Sequence, residues 1–492
     1  MRKKLFSDTL IYTTSQILLR LRGLLVLPLF ARHIGAEGYG IFVQMMVAIT
    51  LLSPLLGLKL ETSAVRFLSA ETDRDRFRSR FFSGLGVLLV VGTIWTVLFR
   101  LLASFGAVLL FGDDSLGGLV WVGCLVLLSS LTSSYLINYY RIVQRIKLQS
   151  VILFVQTVLE TIGIFAAVLL ERGVAGAFWA LVLVDTVISL ALFASIWRQL
   201  GIGRWDWAGV RQMLGYSLPL TPNGIMRWVV NYADRVIITQ MLGLAILGTY
   251  GASYSLSNVL TLLVMPIGYV LFPLLSQAWD EGKLATVQNY LSGVTRYYIL
   301  MSIPACVGLT MLSPLLLRYL ASPDFVTDRL LIFWLVVGIA LNGLFQINVY
   351  VFHLRKQTHF ITGILLLCST GNIALNLWLV PLMGMSGAAL ATAVTFLVMA
   401  LAAILFGQRL IPYEISWPGM LKAFIAGLTM GGVAWLMPLQ TVGAAIMAAI
   451  ATTIVYFVVL LFLRGISPRE VRQLWAMLPL PVGLQAATKK AQ

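Results

Sequence analysis

Charge is scarce in this sequence: Asp, Glu, Lys and Arg make up 11% of 492 residues, and hydrophobic residues 59%. A water-soluble globule of this length needs a polar shell that such a composition does not supply, so the chain reads as a polytopic membrane protein. Acids are rarer still, 19 against 35 basic residues, which leaves a formal charge of +16. Cysteine is nearly missing. Cys124, Cys306 and Cys368 all fall within apolar runs, where a free thiol behaves as a small buried hydrophobe, so no disulfide or metal framework follows. The three histidines, His33, His353 and His359, are scattered over expected loops and make no metal cluster. No G-x-x-x-x-G-K-[ST] run is present, so the chain offers no P-loop for nucleotide. No cofactor is expected.

What fills the chain is apolar runs long enough to cross a bilayer as helices. They fall at 9–31, 39–58, 81–99, 118–140, 148–170 and 174–197, then 214–242, 248–275, 291–317, 330–352, 359–381, 385–408, 419–438 and 441–463. The expectation is an all-α fold of about fourteen transmembrane helices, with both termini on one side. Lys and Arg number 26 in the segments on the side of the termini and 5 on the opposite side, with 4 inside the spans. The positive-inside rule then places both termini in the cytoplasm. This sorting also accounts for most of the net charge, so no nucleic-acid partner is implied. The densest run, Arg74, Arg76, Arg78 and Arg80, reads as a topological anchor, with a phosphate-recruiting patch as the alternative. The start, Met1-Arg-Lys-Lys, imitates a signal peptide, yet Arg20 and Arg22 interrupt the apolar run and no small-x-small site follows, so it reads as an uncleaved first span. Ser467-Pro-Arg-Glu470 has capping-box spacing and predicts a short cytoplasmic surface helix. Loops on the opposite side are short, which confines function to the helices.

Local patterns recur at nearly constant separation. Gly173-Val-Ala-Gly-Ala-Phe-Trp-Ala180 and Gly384-Met-Ser-Gly-Ala-Ala-Leu-Ala391 share G-x-x-G-A-x-x-A at an offset of 211, and Ile137-Asn138-x-Tyr140 matches Ile347-Asn348-x-Tyr350 at 210. Pro54 answers Pro266 at 212, and Gly35 answers Gly243 at 208. Six spans separate the copies, so both point the same way through the membrane. The pattern predicts two parallel six-helix lobes, residues 1–213 and 214–417, with residues 418–492 holding the last two spans and a tail. A site is expected where the lobes meet.

The seventh span, from Leu214 to Leu242, departs from apolar character. Asn223, Arg227, Asn231 and Arg235 recur every four residues with Asp234 beside them, which stacks them into one polar stripe on a helix. Counted from Leu214, Arg227 sits roughly 20 Å along the axis, and an arginine at such a depth costs about 2.5–3.5 kcal/mol on the insertion scale. A charge placed there marks a functional site by default, the alternative being an Arg-Asp pair that holds two helices together. In the first span Arg20 lies at the equivalent place, on a stripe with Gln16 and Tyr12, whereas Arg22 points to another face and is assigned to packing or pairing. Glu160 and Asp185 are the other charges inside spans. They serve either to neutralise arginines or, with Asp234, as ion-coupling groups. Pro54 with Gly57, Pro219 with Pro222, Pro266, Pro273 and Pro304 mark helix breaks, and Gly384, Gly387 and Ala391 mark close helix contacts.

Pro28-Leu-Phe-Ala-Arg32-His-Ile-Gly35-Ala-Glu-Gly38-Tyr39-Gly40, Gly57-Leu-Lys-Leu-Glu-Thr-Ser-Ala-Val-Arg66-Phe, and Tyr232-Ala-Asp234-Arg235 followed by Gly243 and Gly248-Thr-Tyr250 carry a family likeness. The chain resembles the polysaccharide and O-antigen flippases of the multidrug/oligosaccharidyl-lipid/polysaccharide exporter superfamily. The resemblance implies two lobes around a central cavity, alternating access, and movement of an undecaprenyl-diphosphate-linked glycan between leaflets of the bacterial inner membrane. It further implies membrane lipids, a glycan polymerase and glycosyltransferases as partners, Arg20 and Arg227 as diphosphate ligands, and the last two spans as a groove for the lipid tail. Arg22 does not map onto a cavity position of the family.

The stripe agrees with that assignment, because a hydrated diphosphate crossing lipid needs its water replaced by fixed donors and arginine's planar fork supplies them. Arg20, Arg227, Asn231 and Arg235 are the expected substrate contacts, and Asp234, Glu160 and Asp185 the expected coupling groups. A drug exporter of the same superfamily would more naturally need acids and aromatics for cationic substrates. A membrane enzyme that polymerises or ligates glycan is the third class, opposed by the lack of a long external loop.

Overall fold

The computed structural model describes residues 22–437 and 441–466, the side chain of Tyr269 excepted. Arg20, with Tyr12 and Gln16, and the expected helix at Ser467–Glu470 lie outside the described residues. The described residues form helices and connecting turns. In chain order they are α1 (22–33), α2 (Gly35–Leu56), α3 (Leu60–Leu68), α4 (Arg74–Leu101), α5 (Ala103–Phe111), α6 (Gly117–Ile142), α7 (Ile146–Leu169), α8 (Gly173–Leu200) and α9 (Trp207–Ser217). There follow α10 (Thr221–Leu242), α11 (Leu244–Ser257), α12 (Met265–Asp280), α13 (Leu284–Leu320), α14 (Arg329–Asn348), α15 (Tyr350–Leu354), α16 (His359–Met383), α17 (Met385–Leu410), α18 (Trp417–Leu436) and α19 (Val442–Phe462).

Among the described residues, eleven helices are long and apolar enough to cross a membrane, and α11 with α12, bent by 43° near Pro266, makes a twelfth. The sequence predicted fourteen spans. The difference falls on two of them: most of the first lies outside the described residues, and α10 carries Arg227, Asp234 and Arg235 within 22 residues. The chain is an all-α, multi-pass membrane protein.

Backbone angles recur at the spacing of the sequence patterns. Gly35 and Gly243 hold φ of 80° and 93°, and Gly173 and Gly384 hold 61° and 59°, left-handed values that an L side chain adopts with strain. These are the glycines whose spacing predicted the repeat. Gln144 and Lys356, 212 residues apart, share a φ of 57° in the equivalent turns. Helix partners repeat as well: α8 packs on α6 and α7, and α17 packs on α14 and α16. Small residues allow the second of these contacts to be close, since Ala388, Ala389, Ala391 and Ala403 on α17 are fully buried and a Cβ on Gly338 would lie 3.2 Å from the Ala393 backbone.

The seventh span is not one α-helix. A 3-10 turn at Leu218–Leu220, containing Pro219, separates α9 from α10, because proline withholds a backbone donor and crowds the preceding turn. Leu214, where the span was expected to begin, lies inside α9, which packs against α3 and α4 of the first lobe. Arg227 is therefore about 9 Å along α10 rather than about 20 Å along one continuous helix.

The lobes meet along α2. At one end α2 crosses α11 so tightly that a Cβ on Gly40 would fall on the Leu244 carbonyl, and one on Gly248 would fall on the Ala36 carbonyl. Both pairs are related by 208 residues, so a local two-fold axis runs through this crossing and each lobe presents the same patch to the other. Arg32 donating to the Tyr319 carbonyl at 2.9 Å and Gln240 to the Leu109 carbonyl at 2.6 Å tie the lobes at the same end. The other end carries the basic loops. There the arginine run acts as a fastener: Arg74 donates to the Gln199 carbonyl at 2.6 Å, Arg80 bridges Glu71 at 3.1 Å and Asp206 at 3.2 Å, and the Asp206 amide donates to Ser83 at 2.8 Å. These contacts pin the connector between the lobes to the start of α4.

Candidate functional site

The polar stripe of α10 divides in two. Near its start, Arg227 is exposed and Asn231 partly so, with the Asn231 amide donating to the Arg227 carbonyl at 2.6 Å. One further turn on, Arg235 is 5% and Asp234 2% exposed. Arg235 donates to the Asn231 carbonyl at 2.6 Å, pairs with Asp234 at 3.5 Å, and lies between the rings of Tyr254 and Tyr232, 4.1 and 4.8 Å from their centroids. The other Asp234 oxygen accepts from Tyr250 at 2.5 Å. Arg235 and Asp234 thus join α10 to the tyrosines of α11, and a guanidinium so enclosed is offset by a carboxylate and two ring faces. For Arg235 to meet a ligand, or Asp234 an ion, α10 and α11 would have to part.

Arg227 has different company. A Cβ on Gly224, one turn before it on the same face, would lie 3.3 Å from Pro54 Cβ and 3.6 Å from Lys59 Nζ. Lys59 follows the break at the end of α2, and both Leu58 and Lys59 hold left-handed backbone, φ 50° and 51°. Two adjacent non-glycine residues in that region mark stored strain of order 1–3 kcal/mol each, and here the strain turns an ammonium from the first lobe toward α10 of the second. His353 on α15 lies within electrostatic reach of Arg227. Neither Arg227 nor Lys59 has a carboxylate partner among the described residues. Next to Arg227 in the chain, Trp228 bridges the lobes by donating to the Val47 carbonyl at 3.0 Å. Sequence reasoning missed Lys59 by counting it as a loop residue. The available signal was its position two residues past Gly57, where Pro54 already announces a broken helix end.

A second polar cluster is closed inside the first lobe. Arg22 of α1 forms an ion pair with Glu160 of α7, the second of the two roles, packing or pairing, that the sequence left open. Asp185 of α8 accepts at 2.6 Å from Gln156, which stands one turn before Glu160 on α7. The expected site residues therefore fall in three places: Arg227 and Asn231 at the seam between lobes, Arg235 and Asp234 between α10 and α11, and Glu160 and Asp185 within the first lobe. Among the described residues no group of His, Cys, Asp or Glu has the arrangement of a metal site.

This architecture has known relatives. The family described as "Polysaccharide biosynthesis protein" matches residues 5–279, more than half the chain. The chain is 21% identical to the lipid II flippase MurJ of Bacillus subtilis over 453 residues, 83% of this chain and 82% of that one. It is also 21% identical to an uncharacterized membrane protein of Methanocaldococcus jannaschii over 221 residues, a match spanning 42% of that protein. In three dimensions it is similar to MurJ in an inward closed conformation, with a TM-score of 0.70 at 16% identity over 94% of this chain and 99% of that one. An inward-facing MATE family multidrug transporter superimposes with a TM-score of 0.63 at 12% identity, covering 82% and 98%. By the family match and by the fold, the chain belongs to the polysaccharide biosynthesis protein family within the multidrug/oligosaccharidyl-lipid/polysaccharide exporter superfamily.

Proposed function

We propose that the protein is a flippase that carries an undecaprenyl-diphosphate-linked oligosaccharide from the cytoplasmic to the periplasmic leaflet of the bacterial inner membrane by alternating access. One observation carries this reading: Arg227 and Lys59, a cation from each lobe, come within a turn of each other along α10 and neither has a carboxylate partner among the described residues. Cations left without counter-ions beside a lobe seam suit an anion that arrives, is held and leaves. A diphosphate offers oxygens to both, and the two lobes then share one ligand, which couples binding to their relative position. Arg20 is proposed as a third donor, Asn231 as a neutral contact, and Arg235 as the brace that keeps α10 on α11. The basic end, on the positive-inside rule, faces the cytoplasm together with both termini. The Gly40/Gly248 crossing then closes the periplasmic side, and outward opening requires it to separate.

The proposed path of the lipid tail runs beside α18 and α19. These helices pack on α13 through Ala423, Ala426 and Met430 and leave Phe424, Leu428 and Ile450 exposed. On this reading glycosyltransferases supply the lipid-linked glycan and a polymerase consumes it. The MATE-like fold supports a drug exporter as the second reading, but a cationic drug would meet like charge at Arg227 and Lys59. The test is export of surface glycan in cells carrying Arg227→Ala or Lys59→Ala at wild-type levels in the membrane. A charge-assisted hydrogen bond contributes about 1.5–3 kcal/mol, so each variant is expected to lose tenfold or more, with Lys59→Arg retaining most activity. Wild-type export by both alanine variants would sink the proposal, and drug resistance without any effect on glycan would favour the exporter.

A further inference from the structure

The first lobe holds a polar cavity where the second is filled. About 330 Å³ in volume, it lies between α6 and α7 and is lined by Ser133, Ser134, Asn138, Gln149, Gln156 and, at its inner end, Glu160. Glu160 meets Arg22, so the walls present hydroxyls and amides rather than free charge. That volume falls in the range of about 300–1,000 Å³ that small-ligand sites span. At the positions equivalent to Ser134, Gln149 and Gln156, by offsets of 210, 212 and 212, the second lobe has Leu344, Ile361 and Cys368, all buried. Ile361 and Cys368 belong to an apolar core with Phe345 and Phe396. The same helix pair is therefore built with hydrocarbon in the other lobe, and burying amides in its place is costly unless they meet partners. Helix packing does not account for the polar walls.

Two of these side chains lack the partners such burial needs. Gln149 is 8% exposed, and its amide makes no hydrogen bond among the described residues. Asn138 donates to the Ser134 carbonyl of its own helix at 3.0 Å and keeps its side-chain oxygen free among the described residues. Its counterpart Asn348 has a partner at both ends, donating to the Leu344 carbonyl at 2.8 Å and accepting from Tyr413 at 2.5 Å. An amide offers donors and an acceptor at once, which matches a sugar hydroxyl, itself donor and acceptor; an ion would instead call for walls of the opposite charge. Position supports the same ligand. Gln149 is the fourth residue of α7 and Asn138 is one turn from the end of α6, so the cavity begins near the turn at the basic end and runs to Glu160, roughly 16 Å along α7. Ser134 on its wall donates to Glu61 at 2.9 Å, and Glu61 lines a smaller hollow with Lys59, Pro54 and Gly57 at the end of α2. The neutral cavity thus adjoins the place where Lys59 approaches Gly224, one turn before Arg227.

We infer that the α6–α7 cavity is a saccharide subsite, which takes a neutral sugar ring of the lipid-linked glycan while the diphosphate lies at Lys59 and Arg227. The inference rests on the flippase reading and adds which part of the cargo the first lobe recognises: lipid whose diphosphate carries sugar is preferred over lipid whose diphosphate is bare. The experiment is a titration of the purified full-length protein in detergent with two probes, undecaprenyl diphosphate and the lipid-linked glycan extracted from membranes of the native host, bound lipid being read by native mass spectrometry. Wild type is expected to bind the glycan-bearing probe about tenfold more tightly, the effect of two neutral hydrogen bonds. Gln149→Ile, which installs the second lobe's residue, and Asn138→Leu are each expected to remove that preference and leave undecaprenyl diphosphate bound as in wild type. Neither side chain bonds outside its own helix among the described residues, so folding is spared, and unchanged binding of the bare probe reports it. Equal affinities for the two probes in wild type, or a preference that survives in both Gln149→Ile and Asn138→Leu, would overturn the inference and leave a cavity that holds water only. Arg227→Ala is expected to weaken both probes alike. If it binds both as wild type does, the diphosphate reading fails instead, with the preference between probes still read in the same titration.

Discussion

The two lobes share a backbone and differ in what they bury. Between α1, α7 and α8 the first lobe encloses Arg22, Glu160 and Asp185; between α10, α16 and α17 the second sets Val230, Asn372 and Thr395 at the corresponding places. The first triad is held by charge and the second by an amide-to-hydroxyl bond at 3.0 Å. The second lobe's own ion pair, Arg235 with Asp234, sits one to two turns away and faces tyrosines of α11. A duplicated frame thus preserves helix packing, which depends on small residues and turn glycines, while leaving interior polar groups free to diverge. Geometry is inherited by both copies, and electrostatics is assigned to each separately.

Three experiments press on this comparison. The largest effect is expected where equivalent patches of the two lobes meet each other. Gly40→Leu and Gly248→Leu each put a side chain against a carbonyl of the other lobe, so either variant should abolish export. Because both act on one contact, the double variant should be no worse than each single in a thermal unfolding assay. Additive losses would show that the crossing is two independent contacts. Next, Arg22→Ala leaves Glu160 buried without its cation and should cost about 3–5 kcal/mol, whereas Asn372→Ala removes a neutral bond and should cost about 1–3 kcal/mol. Equal losses in denaturation would erase the distinction between a charged and a neutral interior.

The smallest effect lies at the basic end, where helix starts are equivalent but capped differently. Asp73 caps α4 by accepting from the amides of Asp75 and Arg76, which hold its carboxyl below the usual range. Its contribution is therefore present above the unfolded carboxylate pKa and lost as pH falls through the lower folded one. At the matching position Lys283 begins α13 and pairs with Glu281 at 2.6 Å, which raises the lysine; that contribution is present below the unfolded lysine pKa and fades as pH rises through the raised folded value. Asp73→Ala should accordingly lower thermal stability slightly near neutral pH and not in acid, and Lys283→Ala slightly near neutral pH and not in strong base. Identical pH profiles for the two variants would contradict this assignment.

Much of the frame was legible beforehand. Span positions follow from hydropathy, and the repeat was carried by Gly35, Gly243, Gly173 and Gly384 because their backbone angles demand glycine. Gly40 and Gly248 share the same offset and were readable by the same logic, but a close crossing leaves no mark in one helix alone. The site was less legible. Arg227 and Arg235 are alike in sequence terms, eight residues apart on one stripe, and only the neighbours differ: open seam for one, Tyr232 and Tyr254 for the other. The break at Leu218–Leu220 moved Arg227 along its helix, and the left-handed turn at Leu58 and Lys59 brought in a cation that hydropathy counts as loop.

The sequence by itself determined that this chain lives in a membrane, that its local patterns recur at a nearly constant spacing, and that arginine and acid lie within its spans. Those properties belong to single segments, since water, lipid and backbone sterics act on each residue where it stands. Tertiary structure decided that Arg22 meets Glu160 across 138 positions, that Arg235 is enclosed, and that Lys59 comes to Gly224 and the turn below Arg227. Such choices depend on which helix packs against which, and a charge buried among helices takes its meaning from the partner that packing supplies.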